Sequence, residues 1–303
     1  MRAISLGMIG LLAACDGGST PLADASYFVI DGGHDAAPGA SDVGSDASRD
    51  AFVGIDASHF RDLGSDRTLF FGDSRCTSDV LFCEDFEAST ISTSRWTVHG
   101  TAPTLDTTHA ARGSQAMHFH TTTNGQSRLQ TDDIFPVAGG RYYGRMFVWM
   151  DALPTAPDWA HWTLMGAAGD THAGEIRVGG QWDRMRDRFG VGTDGGDTGD
   201  WTYLDQDPTG HVVPAPTQQW VCIEWMHDTT NETTAFFWDG VEHPSLGTTA
   251  THHGGTASAQ YLLPDFRSVW VGWWLYQAGS TPDHFDVWID EVVLDDQRIG
   301  CVI

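Results

Sequence analysis

Lysine is absent from this chain. Every fixed positive side chain is an arginine, and 16 of them stand against 41 acidic residues, for a formal net charge of -25. A field of that sign repels a phosphate backbone, so nucleic acid is excluded as a partner. It also opposes a polyanionic substrate, unless arginines are concentrated where the polymer lies. No apolar run is long enough to persist as a membrane-spanning helix, so any attachment to a bilayer is expected through lipid. The few cysteines are scattered and form no C-x-x-C pair, which removes the usual structural zinc site. A phosphate-cradling glycine loop and a serine-nucleophile elbow are missing too. So is any long 3.6-residue period or internal repeat, which argues against a helical fold or a solenoid.

The start of the chain is Arg2, an apolar stretch over residues 4–12, and then Leu12, Ala13, Ala14 and Cys15. This resembles the lipobox of bacterial lipoproteins, in which the signal is cleaved and the cysteine carries the lipid. The alternative is a plain secretory signal; either one exports the protein. Export with a lipid on Cys15 places the chain at the bacterial cell envelope or surface, with secretion the other outcome. Residues 16–75 are rich in Asp, Gly, Ala and Ser and cannot bury enough apolar area to offset their ordering entropy. They read as a flexible tether, with Phe52, Phe60, Leu69, Phe70 and Phe71 available to dock at the edge of the domain beyond it. Four cysteines then remain in an oxidising compartment, which suggests two disulfides with three connectivities. Cys222 with Cys301 and Cys76 with Cys83 is the favoured pairing.

From residue 76 to residue 303 the texture changes to tryptophans and β-branched residues in short runs, separated by Gly, Asp, Pro and Thr. Strands are expected over residues 81–86, 115–120, 142–150, 161–165, 175–178, 221–226, 233–238, 269–276 and 285–294. Many short strands with turn signals between them predict an all-β fold, a single concanavalin-like jelly-roll sandwich behind the tether. Trp149, Trp162, Trp225, Trp238, Trp273, Trp274 and Trp288 fall in these runs, and most are expected in the core.

Several motifs follow one another in a known order. They are C-E-D-F-E at 83–87, T-L-D-T-T-H-A-A-R-G-S-Q-A-M at 104–117, A-H-W-T-L at 160–164, E-I-R-V-G-G-Q at 175–181 and W-V-C-I-E-W at 220–225. V-G-W-W-L-Y, V-W-I-D-E-V and R-I-G-C close the series. Together they resemble the core domain of the cellulose-induced secreted protein of cellulolytic fungi, a jelly roll related to glucuronan lyases. The resemblance implies a structural calcium ion held by the Glu87 carboxylate, the Arg112 carbonyl, Gln115 and Asp290, all of them oxygen donors as calcium requires. It also implies the Cys222 to Cys301 pairing. The partner it implies is a polysaccharide, probed by a monomer with no further cofactor.

A polyuronate lyase removes the proton at carbon 5 and expels the oxygen at carbon 4. It must neutralise the carboxylate, supply a base and protonate the leaving oxygen. His161, Arg177, Gln181 and Tyr276 lie within the matched motifs and provide that inventory. Arg177 and Gln181 are suited to the carboxylate, and a phenol at Tyr276 beside a cation serves as base and acid. The alternative for Arg177 is an internal ion pair with Glu175, two residues away on the same face of a strand. Glu175 is also where the fungal proteins carry a histidine, so the role of that histidine is lost or replaced here. The run from Asp183 to Arg188 sets three arginines at alternate positions, which would concentrate positive charge beside the motif.

The function this implies is β-elimination on a uronic-acid-containing glycan. The alternatives are a non-catalytic carbohydrate-binding module and a scaffold lipoprotein of the same fold. His118 and His120 share a strand face, but the sequence offers them no third ligand at a persuasive spacing. Asp290 and Glu291 are expected on opposite faces of their strand, which leaves Asp286 and Asp290 as the same-face carboxylates.

Overall fold

The computed structural model describes residues 61–303 apart from 158–159, 173, 183–186, 195–200, 204–214, 255–257 and 259, with the backbone alone for 181–182, 187–194 and 201–203. The export signal, Cys15 and the tether up to residue 60 lie outside the described residues, as does most of the arginine run at 183–188.

Alternation of apolar and polar side chains makes the strands. The first seven are β1 (Phe82–Glu84), β2 (Thr97–Gly100), β3 (Thr104–Asp106), β4 (Ala116–Thr122), β5 (Gly125–Thr131), β6 (Arg141–Met150) and β7 (Ala160–Gly169). After them come β8 (Glu175–Trp182), β9 (Asp187–Asp194), β10 (Trp201–Tyr203), β11 (Trp220–Asp228), β12 (Thr233–Trp238), β13 (Val241–Glu242), β14 (Phe266–Leu275) and β15 (His284–Asp295). They form two antiparallel sheets. One has eight strands in the order β13-β12-β11-β6-β15-β4-β3, with β1 also on β15; the other has seven in the order β10-β9-β8-β7-β14-β5-β2. The centre of each sheet is made by strands distant in sequence, β11-β6-β15-β4 in one and β7-β14-β5 in the other, as in a jelly roll.

Between the sheets lies one core. β4 sends Met117 and Phe119 inward, and β14 sends Val271, Trp273 and Leu275. Trp162 of β7 stacks on Trp273 at 5.6 Å. Both are fully buried, and each removes enough apolar area from water to contribute on the order of 4 kcal/mol before entropy is counted. β15 sends Phe285, Val287 and Ile289 into the same core, and then the register against β6 slips between Asp290 and Val293. Glu291 there has a φ of 44°, and Val292 and Leu294 resume the inward side. The slip corrects the expectation for Asp290 and Glu291: the extra residue of the bulge lets both carboxylates reach Arg112 instead of facing opposite ways.

The tether was expected to reach residue 75, but residues 61–75 are packed against the eight-stranded sheet. Phe70 is fully buried in a second apolar cluster with Ala111, Phe147, Trp220 and Trp288. Arg67 pairs with Asp239 and donates to the Trp220 carbonyl at 2.7 Å, while Arg75 reaches the carbonyls of Leu69 and Val302. These arginines tie a segment of low apolar content to the sheet, which composition alone does not reveal. Disulfides join Cys76 to Cys83 and Cys222 to Cys301, the favoured pairing.

Candidate functional site

The face of the seven-stranded sheet turned away from the core carries the motif residues. On β8, Ile176 and Val178 point into the core, so Glu175 and Arg177 share the outer face. On β14 the inward Val271, Trp273 and Leu275 put Trp270 and Trp274 outside, with Tyr276 next in the alternation. On β7, inward Trp162 leaves His161 and Thr163 outside. Register sets Arg177 opposite Gly166 and His161 opposite Gln181.

Side chains complete the arrangement. Glu175 accepts from Arg177 Nε through one oxygen and from Trp270 Nε1 through the other. The ion pair considered from sequence is therefore present, and the acid is doubly engaged. The Arg177 guanidinium lies 4.8 Å from the Trp274 ring and 4.9 Å from the Tyr276 ring. A second cation is present that sequence reasoning missed. Arg128 of β5 sits 4.5 Å from the Trp270 ring and 4.4 Å from the Trp274 ring, opposite Gly272 in register. Burial lowers its affinity for a proton, and Glu175 and Tyr276 work in the other direction. The only signal for Arg128 in the sequence is the scarcity of basic residues.

Tyr276 Oη and Thr163 Oγ1 are 3.0 Å apart. Gln277 accepts from the His161 backbone N–H through Oε1, which turns its amide nitrogen toward His161 Nδ1 at 3.2 Å. Nδ1 facing an amide nitrogen is an acceptor. The structure thus brings His161, Glu175, Arg177 and Tyr276 onto one face, and the register places Gln181 beside His161 without describing its side chain.

The glycines here serve packing. A Cβ on Gly179 would lie 2.1 Å from the Trp162 carbonyl, so this glycine permits close approach of β7 and β8 at the register slip after Thr163. A Cβ on Gly166 would lie 2.3 Å from Trp270 Nε1 and 2.7 Å from Glu175 Oε1. Gly166→Ala is accordingly expected to push apart the Trp270 to Glu175 contact and to cost about 1–3 kcal/mol in urea unfolding, the usual range for overpacking. An unchanged midpoint would mean that the pair is not held there.

The four residues assigned to calcium surround the turn at 111–115. Asp290 Oδ2 accepts from the backbone N–H groups of Ala111 at 2.8 Å and Arg112 at 2.9 Å. Glu87 accepts from Ser114 N at 2.8 Å, Ser114 Oγ at 2.6 Å and Gln115 N at 3.1 Å. Gln115 Nε2 donates to the Phe86 and Ala88 carbonyls, which leaves its amide oxygen as a donor atom for a cation. Asp290 Oδ1 is buried with no hydrogen-bond partner among the described residues. Burial pushes this carboxyl up to about 7. A buried carboxylate oxygen without a partner is a donor that a hard dication would satisfy.

No protein-family model matches the chain, and no curated protein matches it in sequence. Among solved structures, the cellulose-induced protein Cip1 superposes with a TM-score of 0.56 at 24% identity, over 73% of this chain and 99% of that one. That likeness establishes the shared jelly-roll fold. A polysaccharide lyase family 7 alginate lyase matches at a TM-score of 0.39 and 11% identity, over 60% of this chain and 78% of that one. A botulinum neurotoxin serotype D/C binding domain matches at 0.45 and 5%, over 73% of this chain and 50% of that one. These two are too distant to carry an argument about this protein.

Proposed function

We propose that this protein is an exported polysaccharide lyase that cleaves a uronic-acid-containing glycan by β-elimination on the outer face of the seven-stranded sheet. The observation that supports it is a pair of arginines, Arg128 and Arg177, laid on the Trp270, Trp274 and Tyr276 rings beside a tyrosine hydroxyl. In a chain with 16 basic residues against 41 acidic ones, two cations on one aromatic floor make a local exception to the repulsive field. Glu175 engages Arg177 through Nε, which orients the fork of terminal nitrogens suited to a carboxylate. The arginines neutralise the uronate carboxylate and so acidify the proton at carbon 5. Acting as a phenolate, the form that neighbouring cations favour, Tyr276 takes that proton on Oη. The C5–H electrons form the C4=C5 double bond as the C4–O bond breaks, and Tyr276 returns the proton to the departing oxygen. His161, on the same outer face, helps to position the sugar. The aromatic rings beneath the guanidiniums hold both cations in place by cation–π contact.

Incubation with glucuronan or alginate is expected to raise the ultraviolet absorbance of an unsaturated uronate product. The alternative of a binding module draws support from Glu175, which stands where the fungal proteins carry histidine. Retention on a polyuronate column without any such absorbance on any polyuronate would establish it in place of the lyase.

Glu87, Gln115, Asp290 and the Arg112 carbonyl would hold calcium, which would pin the turn at 111–115 to β15. At a hundredfold excess over Kd such an ion contributes about 2.7 kcal/mol of stability. Chelation is then expected to lower Tm by about 5–10 °C. A transition that does not move on chelation, and does not rise when calcium is added back, would remove the ion from the account.

A further inference from the structure

The eight-stranded sheet carries a second set of chemically competent side chains on its own outer face. Met117 and Phe119 of β4 enter the core, so His118 and His120 point outward together. β15 is paired with β4 so that Asp286 lies opposite His120 and Trp288 opposite His118. His118 Nε2 is 2.7 Å and His120 Nδ1 is 2.8 Å from the same oxygen, Asp286 Oδ1. Two imidazoles aimed at one carboxylate oxygen are an uncommon arrangement for a sheet surface. The third ligand that the sequence could not supply arrives from the neighbouring strand.

We propose that His118, His120 and Asp286 bind a divalent transition-metal ion of the zinc class. Two nitrogens and one carboxylate oxygen suit zinc, copper(II) or nickel(II), and are a poor set for calcium or magnesium. The three donor atoms lie within 4.8 Å of one another. Tetrahedral zinc with bonds of about 2.0–2.1 Å needs neighbouring donors about 3.3–3.4 Å apart. Each nitrogen must therefore move about 0.6 Å away from Asp286 Oδ1, and the two nitrogens must settle at the same spacing from a separation of no more than 4.8 Å. The ion replaces the two N–H donors now shared by Asp286 Oδ1. On His118 the proton moves to Nδ1, where Asp106 Oδ2 waits at 3.9 Å as the outer carboxylate that so often backs a ligating histidine.

Surrounding groups hold the set in place. His118 stacks on Trp288 at 4.5 Å with 11° between the rings. Trp288 Nε1 in turn donates to Asp106 Oδ2 at 3.1 Å, so ring and outer carboxylate are fixed as a unit. Asp106 also accepts from Thr108 N at 2.6 Å. The His120 side chain is 43% exposed, which leaves the solvent side of the ion for water or an outside ligand. That is the pattern of an open site and not of a closed structural one.

The test uses the chelator-treated full chain, titrated with zinc chloride in a calorimeter and with cobalt(II) in the visible spectrum. One zinc ion per chain is expected, with cobalt giving the intense bands of a four-coordinate site and excess calcium failing to compete. His120→Ala and Asp286→Asn should each weaken zinc at least about a hundredfold and abolish the cobalt bands. Both residues are at the surface, and an unchanged metal-free melting curve verifies that each variant is folded. His120→Ala should leave any turnover of polyuronate unchanged, because the arginine site lies on the other sheet. Equal zinc affinity in wild type and His120→Ala would overturn the proposal, and so would the absence of binding at micromolar zinc in the wild type.

Discussion

Glu291→Gln is expected to destabilise the protein by about 3–5 kcal/mol, the range seen when one member of a buried ion pair is removed. The Glu291 side chain is fully buried. Its Oε1 accepts from Arg112 Nη1 and from Arg145 Nη2, the latter at 3.1 Å. Arg112 also donates to the Phe70 and Cys301 carbonyls, and Arg145 to the Ile303 carbonyl, so one carboxylate joins the docked segment, β6, β15 and the residues beyond it. Both guanidiniums lie within 4.9 Å of the Phe147 ring. Burial already pushes Arg112 down to about 10, with Arg145 acting in the same direction and Glu291 opposing. Glutamine keeps the shape and removes the carboxylate that both buried cations share, leaving only the more distant Glu224 and Asp290 to act on Arg145. Urea unfolding with the disulfides intact and calcium present measures the effect. The exposed pair Arg267 and Asp265 provides the contrast, since breaking it should cost about 0–1 kcal/mol. A loss below about 1 kcal/mol for Glu291→Gln would mean that water or a shifted side chain compensates the arginines.

Much of this fold is legible in alternation. Met117 and Phe119 against His118 and His120, or Ile176 and Val178 against Glu175 and Arg177, assign their faces from the order of residues alone. Strands with a weaker pattern carry no such mark: Gly125–Thr131 is mostly polar, and Asp187–Asp194 alternates glycine with larger residues. The bulge at Glu291 was invisible for a different reason. A positive φ at a glutamate has no compositional mark, yet it decides that Asp290 and Glu291 both meet Arg112. Residues that act across strands were also hidden. Arg128 and Asp286 come to their partners through the pairing of β5 with β14 and of β4 with β15, and register is a property of two segments that neither contains alone. Glu175 shows the opposite case: its neighbour Arg177 is close in sequence, and the spacing of two residues already puts the ion pair on one face.

Tyr276→Phe should lower kcat/KM on a polyuronate by about 10²–10⁴, the usual loss when the group that moves the proton is removed. The ring remains 4.9 Å from the Arg177 guanidinium and 4.6 Å from Trp274, so the aromatic floor that holds the arginines is kept. What is lost is Oη and its contact with the buried Thr163 Oγ1, a cost of about 1–3 kcal/mol that leaves the domain folded. Arg177→Ala is a less clean experiment. It also removes a partner of Glu175 and exposes an unneutralised carboxylate to the substrate, so its loss of turnover would combine two causes. A decisive pattern has Tyr276→Phe losing kcat with KM nearly unchanged, while Arg128→Ala both raises KM and lowers kcat, because the lost cation binds the carboxylate and acidifies the proton at carbon 5. Full turnover by Tyr276→Phe would place proton transfer on another group. His161 is the next candidate, and in that case His161→Ala, and not Tyr276→Phe, would abolish kcat.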